Sequence, residues 1–155
     1  MRGMSHDAPM PTARADRCVF CAIVAGDEPA EVVFDDTAAL AFLDRRPVFP
    51  GHVLIVPRDH VQTLADLPVD QVAPLFQRVQ LITAAVESAL AADGSFVAMN
   101  NRVSQSVPHL HVHVVPRRRG DGLRGFFWPR RKYAAGEAEA VADQIRVALA
   151  PPVSQ

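Results

Sequence analysis

The seven residues His109-Leu110-His111-Val112-His113-Val114-Val115 decide the reading of this chain, because every second position is a histidine and every residue between is apolar. Successive side chains of an extended chain point to opposite faces. A strand here therefore carries three imidazoles on one surface and buries Leu110, Val112 and Val114 through the other. Three of the six histidines in the chain fall on that one face. The surface they share is the candidate active surface.

Two chemistries compete for such a strand: a metal site and a histidine nucleophile. Residues two apart on a strand are separated by roughly 6.6 to 6.8 Å, which sets the outer pair roughly 13 Å apart at the backbone. A zinc ion needs its ligand nitrogens at roughly 2.0 to 2.1 Å. Neighbouring histidines can meet at one ion, but three from a regular strand are hard to converge. One histidine acting alone, with its neighbours in support, is the preferred reading.

The pattern His-φ-His-φ-His-φ-φ, with φ apolar, resembles the signature of the histidine triad (HIT) superfamily of nucleotidyl hydrolases and transferases. The likeness is to its bacterial zinc-type branch, related to the purine nucleoside phosphoramidases. Upstream, Phe42-Leu43-Asp44 and the run from Pro50-Gly51-His52 through Pro57-Arg58-Asp59-His60 are similar to the strand, turn and strand that precede the triad in that family. The resemblance covers roughly residues 18 to 117. It implies an α+β, HIT-like fold: a five-stranded antiparallel sheet with one long helix and a short C-terminal helix, paired into a homodimer.

The resemblance also implies roles. His111, the middle histidine, would attack the α-phosphate of a nucleotide. A neutral imidazole suits the task, since it titrates near pH 6.5 and a partner on one ring nitrogen fixes the tautomer of the other. Attack would give a covalent nucleotidyl-histidine that water resolves. His113 would orient His111 or contact the phosphate, and His52 would face the same site from its strand. Gln105 and Ser106 would donate to phosphate oxygens where charge develops, Asp44 would accept from the ribose hydroxyls, and Asn101 would sit near the phosphate. The substrate implied is a purine nucleotide, adenine being the family's commonest base. The sequence departs from the family in the loop between Asn101 and Gln105, which usually is longer and glycine-bearing. Here only Arg102-Val103-Ser104 intervenes, with fewer freely accessible positive-φ positions for wrapping amides around phosphate.

Cys18 and Cys21, the two cysteines, open the region of resemblance with Cys-x-x-Cys spacing. A disulfide there would close a tiny loop and remove little chain entropy. Zinc is the better reading and requires two further ligands, the competing one being a pair of reduced thiols at a helix start. By the resemblance, structural zinc would be completed by His60 and His109. No organic cofactor is expected.

Length and composition fit this picture. At 155 residues and 49% hydrophobic, the chain suits one domain with a substantial core. No run approaches the roughly 18 consecutive apolar residues of a bilayer span. Residues 1–16 mix proline, charge and small side chains, and read as a disordered tail before a domain over 17–155, not as a secretion signal. A net charge of −1 names no partner. A cytoplasmic protein is the expectation.

Glu31–Asp35 and Ala38–Leu43 read as a hairpin about Asp35-Asp36-Thr37, and His52–Val56 as a third strand. From Pro68 to Ala92, Val72, Leu75, Phe76, Val79, Ile82, Val86, Ala89 and Leu90 recur at helical spacing, so a long helix is predicted, ended by Asp93-Gly94. Ser95–Asn100 and His109–Val115 supply two more strands, and Glu137–Leu149 a last helix. Between Arg117 and Tyr133 lie seven of the sixteen lysines and arginines, with Phe126, Phe127 and Trp128 among them. That segment has three readings: it reaches a substrate's phosphate tail, it binds single-stranded nucleic acid, or it packs as an ordinary loop.

The expected function is hydrolysis or transfer at the α-phosphate of a nucleoside phosphoramidate or dinucleoside polyphosphate. The alternatives are a nucleotide- or RNA-binding module without turnover, and a metal-dependent hydrolase that uses neighbouring triad histidines.

Overall fold

The computed structural model describes residues 18–123 and 131–149. The expected tail over 1–16, and the 124–130 part of the basic and aromatic segment, lie outside the described residues. The chain divides at Asp121 into two units. In the second, a helix, α3 (Glu137–Leu149), forms as its pattern predicts, and an Arg146–Asp143 ion pair of 2.6 Å joins successive turns.

The first unit holds a short helix α1 (Val19–Ala25), strands β1 (Val32–Asp35), β2 (Ala39–Leu43) and β3 (Val53–Pro57), a long helix α2 (Val69–Ala89), and strands β4 (Gly94–Ala98) and β5 (Val112–Arg117). The five strands make one antiparallel sheet in the order β1-β2-β3-β5-β4. Period-two alternation sorts the side chains onto two faces. Ala39, Ala41, Val53, Ile55, Val112 and Val114 pack against Leu75, Val79, Ile82 and Val86 of α2, whose four-three-four spacing makes one apolar stripe. Leu40, Phe42, Leu54 and Val56 face the other way, onto Cys18, Phe20 and Ile23 at α1. Covering both faces explains why β2 and β3 are apolar almost without interruption.

Most boundaries fall within two residues of the sequence reading, and two differ by three. The helix predicted to run to Ala92 ends at Ala89. Ala91 adopts φ 47°, its N–H donates to Ser88 O (3.3 Å), and the Ala92 N–H donates to Glu87 O (3.0 Å). This is a Schellman closure with alanine where glycine is usual. The Arg118 guanidinium adds donors to the same end, reaching Leu90 O (2.5 Å) and Ala91 O (2.7 Å). The strand predicted from His109 begins instead at Val112. Before it the chain bends, the His109 N–H turning back to Val107 O (2.8 Å) and the Leu110 N–H reaching Val61 O (2.7 Å), outside the strand ladder.

One turn delivers a site residue. At Val48–His52 the chain reverses with the His52 N–H on Phe49 O (3.0 Å) and Gly51 at φ 95°. Pro50-Gly51 thus supplies the restricted and the left-handed positions of a type II turn. A Cβ on Gly51 would also sit 2.1 Å from Leu90 Cδ1.

Candidate functional site

His113 lies on β5, opposite Leu54 of β3 and Ala98 of β4. His111 precedes the strand by one residue, and its ring centroid is 4.9 Å from that of His113. Both line a cavity of about 570 Å³ on the α1 side of the sheet. His111 is 2% exposed and His52 4%.

Hydrogen bonds fix the protons. A carbonyl only accepts, so the 2.7 Å contact of His111 Nδ1 with His109 O places the His111 proton on Nδ1 and leaves the Nε2 lone pair free. A backbone amide only donates, so Val48 N–H on His52 Nδ1 (3.2 Å) places the His52 proton on Nε2. His52 Nε2–H then donates to His113 Nδ1 at 2.9 Å. His113 is left with Nε2–H as its outward donor. Burial and the neighbouring His111 and His52 push the His113 imidazole down to about 4. Burial also lowers His52, against the pull of Asp44. Neutral rings follow near pH 7.

Asp44 follows the end of β2 and lines the same cavity. Its Oδ1 accepts the Arg46 N–H (2.8 Å), while Oδ2 stands 3.7 Å from His52 Nδ1. Ser106 and Val107, from the bend before the triad, also border the cavity. Asn101 and Gln105 are bound elsewhere. Asn101 Oδ1 accepts the Leu64 N–H (2.8 Å); Gln105 Nε2 donates to Gln62 O (2.7 Å), and its Oε1 accepts the Arg102 N–H (2.8 Å). The short loop holds Arg102 and Ser104 at φ 68° and 60°, left-handed positions that non-glycine residues rarely adopt.

The cavity's apolar wall was not singled out by sequence reasoning. Phe20 of α1 packs edge-to-face on His111 (centroids 5.1 Å, 82°), on Phe42 (5.4 Å, 67°) and on His109 (6.0 Å, 70°). Ile23 and Leu54 continue that wall. Between two cysteines, Phe20 reads simply as a core residue, and only the fold shows that its ring also reaches a ligand-sized space.

Cys18, Cys21, His60 and His109 form a second cluster. Cys18 caps α1, its Sγ accepting the Cys21 N–H at 3.5 Å, so the Cys-x-x-Cys spacing becomes one helical turn with both sulfurs on one side. His109 Nδ1 lies 3.5 Å from each Sγ, and His60 Nδ1 lies 3.2 Å from Cys21 Sγ. The His109 Nε2–H donates to Pro57 O (3.0 Å), which turns the Nδ1 lone pair toward the sulfurs. A tetrahedral ion with sulfur at about 2.3 Å and nitrogen at about 2.0 to 2.1 Å sets sulfur and nitrogen about 3.6 Å apart. The four donors, all within 4.8 Å of one another, fit such an ion. Burial and Cys18 push the Cys21 thiol up to about 12, and burial lowers His109 to about 4. A bound dication reverses the first of these, because a coordinating thiol is deprotonated.

Asp44, His52 and His113 also bring donor atoms within 4.8 Å. There, however, the facing nitrogens of the two histidines hydrogen-bond each other and Val48 occupies the remaining nitrogen of His52. At the end of β5 two basic side chains are engaged as well: Arg117 pairs with Asp121 (2.6 Å), and Arg118 caps α2.

The unit is an antiparallel α+β fold with a buried, tautomer-fixed histidine beside a ligand-sized cavity. Residues 25–120 match the HIT domain family model. The chain is 41% identical over 108 residues to a HIT-like protein of Mycobacterium tuberculosis, covering 68% of this chain and 75% of that one. It is 31% identical over 130 residues to the adenosine 5′-monophosphoramidase hnt1 of Schizosaccharomyces pombe, covering 83% and 95%. A zinc-bound histidine triad family protein from Mycobacterium smegmatis superposes with a TM-score of 0.67 at 39% identity, covering 86% and 99%. The chain belongs to the HIT family.

Proposed function

We propose that this protein is a nucleotidyl hydrolase or transferase acting at the α-phosphate of a nucleoside phosphoramidate or dinucleoside polyphosphate. The observation that carries the reading is the His111 tautomer: Nδ1–H is held on His109 O, and a bare Nε2 is left at the cavity. The name of the S. pombe relative, a monophosphoramidase, supports the same reaction class.

In this reading the purine packs on Phe20, Ile23 and Leu54, and Asp44 Oδ2 accepts a ribose hydroxyl. The His111 Nε2 lone pair forms the N–P bond, while the bond from phosphorus to the leaving group breaks and its electron pair departs with that group, which takes a proton from solvent. The positive charge that appears on the imidazole is stabilised through Nδ1–H by the His109 carbonyl. His113 Nε2–H and the Ser106 hydroxyl donate to phosphate oxygens. Water then attacks phosphorus, the N–P pair returns to Nε2, and water's proton leaves to solvent. Asn101 and Gln105 brace the short loop that presents Ser106 and do not themselves reach the phosphate.

Zinc at Cys18, Cys21, His60 and His109 fits the donor set and would supply cross-linking of α1 to the sheet. A cytoplasmic setting goes with it, since reduced thiols are what the ion needs. Among the described residues no helix is long and apolar enough to cross a membrane. A homodimer is part of the same reading: among the described residues β4 is a sheet edge, and it carries an exposed Val97.

The test is a quenched single turnover with adenosine phosphoramidate and diadenosine polyphosphates, examined by mass spectrometry. A nucleotidyl adduct on His111, absent in His111→Asn together with a loss of turnover of about four orders of magnitude or more, is the expected outcome. Tight nucleotide binding with no turnover by the wild type would replace the enzyme with a binding module.

A further inference from the structure

Two arginines border the cavity beside its one carboxylate, and they are not equivalent. The Arg45 guanidinium is committed: Nη2 sits 2.8 Å from Glu28 Oε1 and 2.5 Å from Pro29 O. Arg46 uses only its backbone, its N–H donating to Asp44 Oδ1. Its guanidinium has no hydrogen-bond or ion-pair partner among the described residues, and it is exposed at the cavity. Asp44 links the Arg46 backbone to the histidines: Oδ1 accepts the Arg46 N–H, and Oδ2 stands 3.7 Å from His52 Nδ1.

An unneutralised guanidinium with five donors in a fixed fork is built for a phosphate or carboxylate. The 5′-phosphate of a bound nucleotide belongs at His111 and His113, which leaves Arg46 without an anion. From this we infer that Arg46 binds a second phosphate on the ribose side of the substrate, a 2′- or 3′-phosphate ester, so that the preferred nucleotides carry phosphate on the ribose as well as at the 5′ position. Asp44 is compatible with such a ribose: Oδ1 holds the Arg46 N–H, and Oδ2 keeps lone pairs for a remaining hydroxyl. The inference rests on the nucleotide reading of the cavity.

The same anionic chemistry could come from the ribose or from a longer 5′-phosphate chain, and the experiment separates them. Dissociation constants of AMP, ADP, adenosine 3′,5′-bisphosphate and adenosine 2′,5′-bisphosphate are measured by calorimetry for wild type, Arg46→Gln and Arg46→Lys, with melting curves confirming that each variant folds. One bisphosphate is expected to bind the wild type about tenfold more tightly than AMP. That ratio should fall to about one in Arg46→Gln and return in part in Arg46→Lys. A wild-type ratio of one, or a preference that survives Arg46→Gln, overturns the inference. If Arg46→Gln instead removes a preference for ADP over AMP, the anion comes from the 5′ chain and the ribose assignment is wrong. Failure of AMP itself to bind would overturn the nucleotide reading, and this inference with it.

Discussion

His109 and His111 stand two residues apart and carry the same side chain, yet their protons sit on opposite ring nitrogens. At His109, Pro57 O takes the Nε2 proton and the Nδ1 lone pair faces two sulfurs. At His111, the His109 carbonyl takes the Nδ1 proton and Nε2 is bare at the cavity. One histidine is thereby a ligand in form and the other a nucleophile in form, and in each case a single backbone carbonyl decides. The lesson is that a triad pattern fixes where imidazoles stand, while main-chain acceptors assign what each can do.

The two regions are also joined. His109 supplies a donor to the cluster through its ring and an acceptor to His111 through its backbone, and Phe20 packs on both rings. The largest effect should follow from dismantling the cluster. Cys21→Ser is expected to lower the melting temperature by about 10 °C, corresponding to about 3 to 4 kcal/mol, and to abolish the copurifying metal measured by mass spectrometry. With a chelator, turnover should fade at the rate of unfolding. Metal-free protein with wild-type melting would show that the cluster is two reduced thiols beside two histidines.

A smaller effect is expected where the regions touch. Phe20→Leu keeps an apolar residue but removes the edge-to-face contacts with His111 and Phe42, worth about 0.5 to 1.5 kcal/mol each. Steady-state kinetics should show kcat/KM lowered about tenfold, with metal content unchanged. An unchanged kcat with a raised KM would confine Phe20 to base packing and cut the proposed link to the nucleophile.

Much of this was legible in the sequence, and the exceptions have physical causes. The short apolar runs Ala39–Leu43 and Val53–Pro57, and the helical stripe Leu75, Val79, Ile82 and Val86, are readable from sequence pattern alone. The end of α2 was not legible, because alanine at a left-handed closing position breaks the glycine rule and the pattern continues through Leu90. The start of β5 was misplaced because Leu110 keeps its inward-facing phase while its N–H leaves the ladder for Val61 O. At the site, His52, His111, His113, Asp44 and Ser106 gather as the resemblance implied. Asn101 and Gln105 do not, since Gln105 Oε1 holds the Arg102 N–H of the short loop and Asn101 Oδ1 holds the Leu64 N–H outside it. Phe20 gave no signal, because a wall of a ligand cavity and a core residue look alike in one dimension.

The comparison between His109 and His111 can be read directly from the ring-nitrogen resonances of uniformly 15N-labelled protein. The account predicts opposite tautomers in one sample: the proton on Nε2 in His109 and on Nδ1 in His111. A His111 ring carrying its proton on Nε2 would have no lone pair at the cavity, and would contradict the assignment of that residue as the nucleophile.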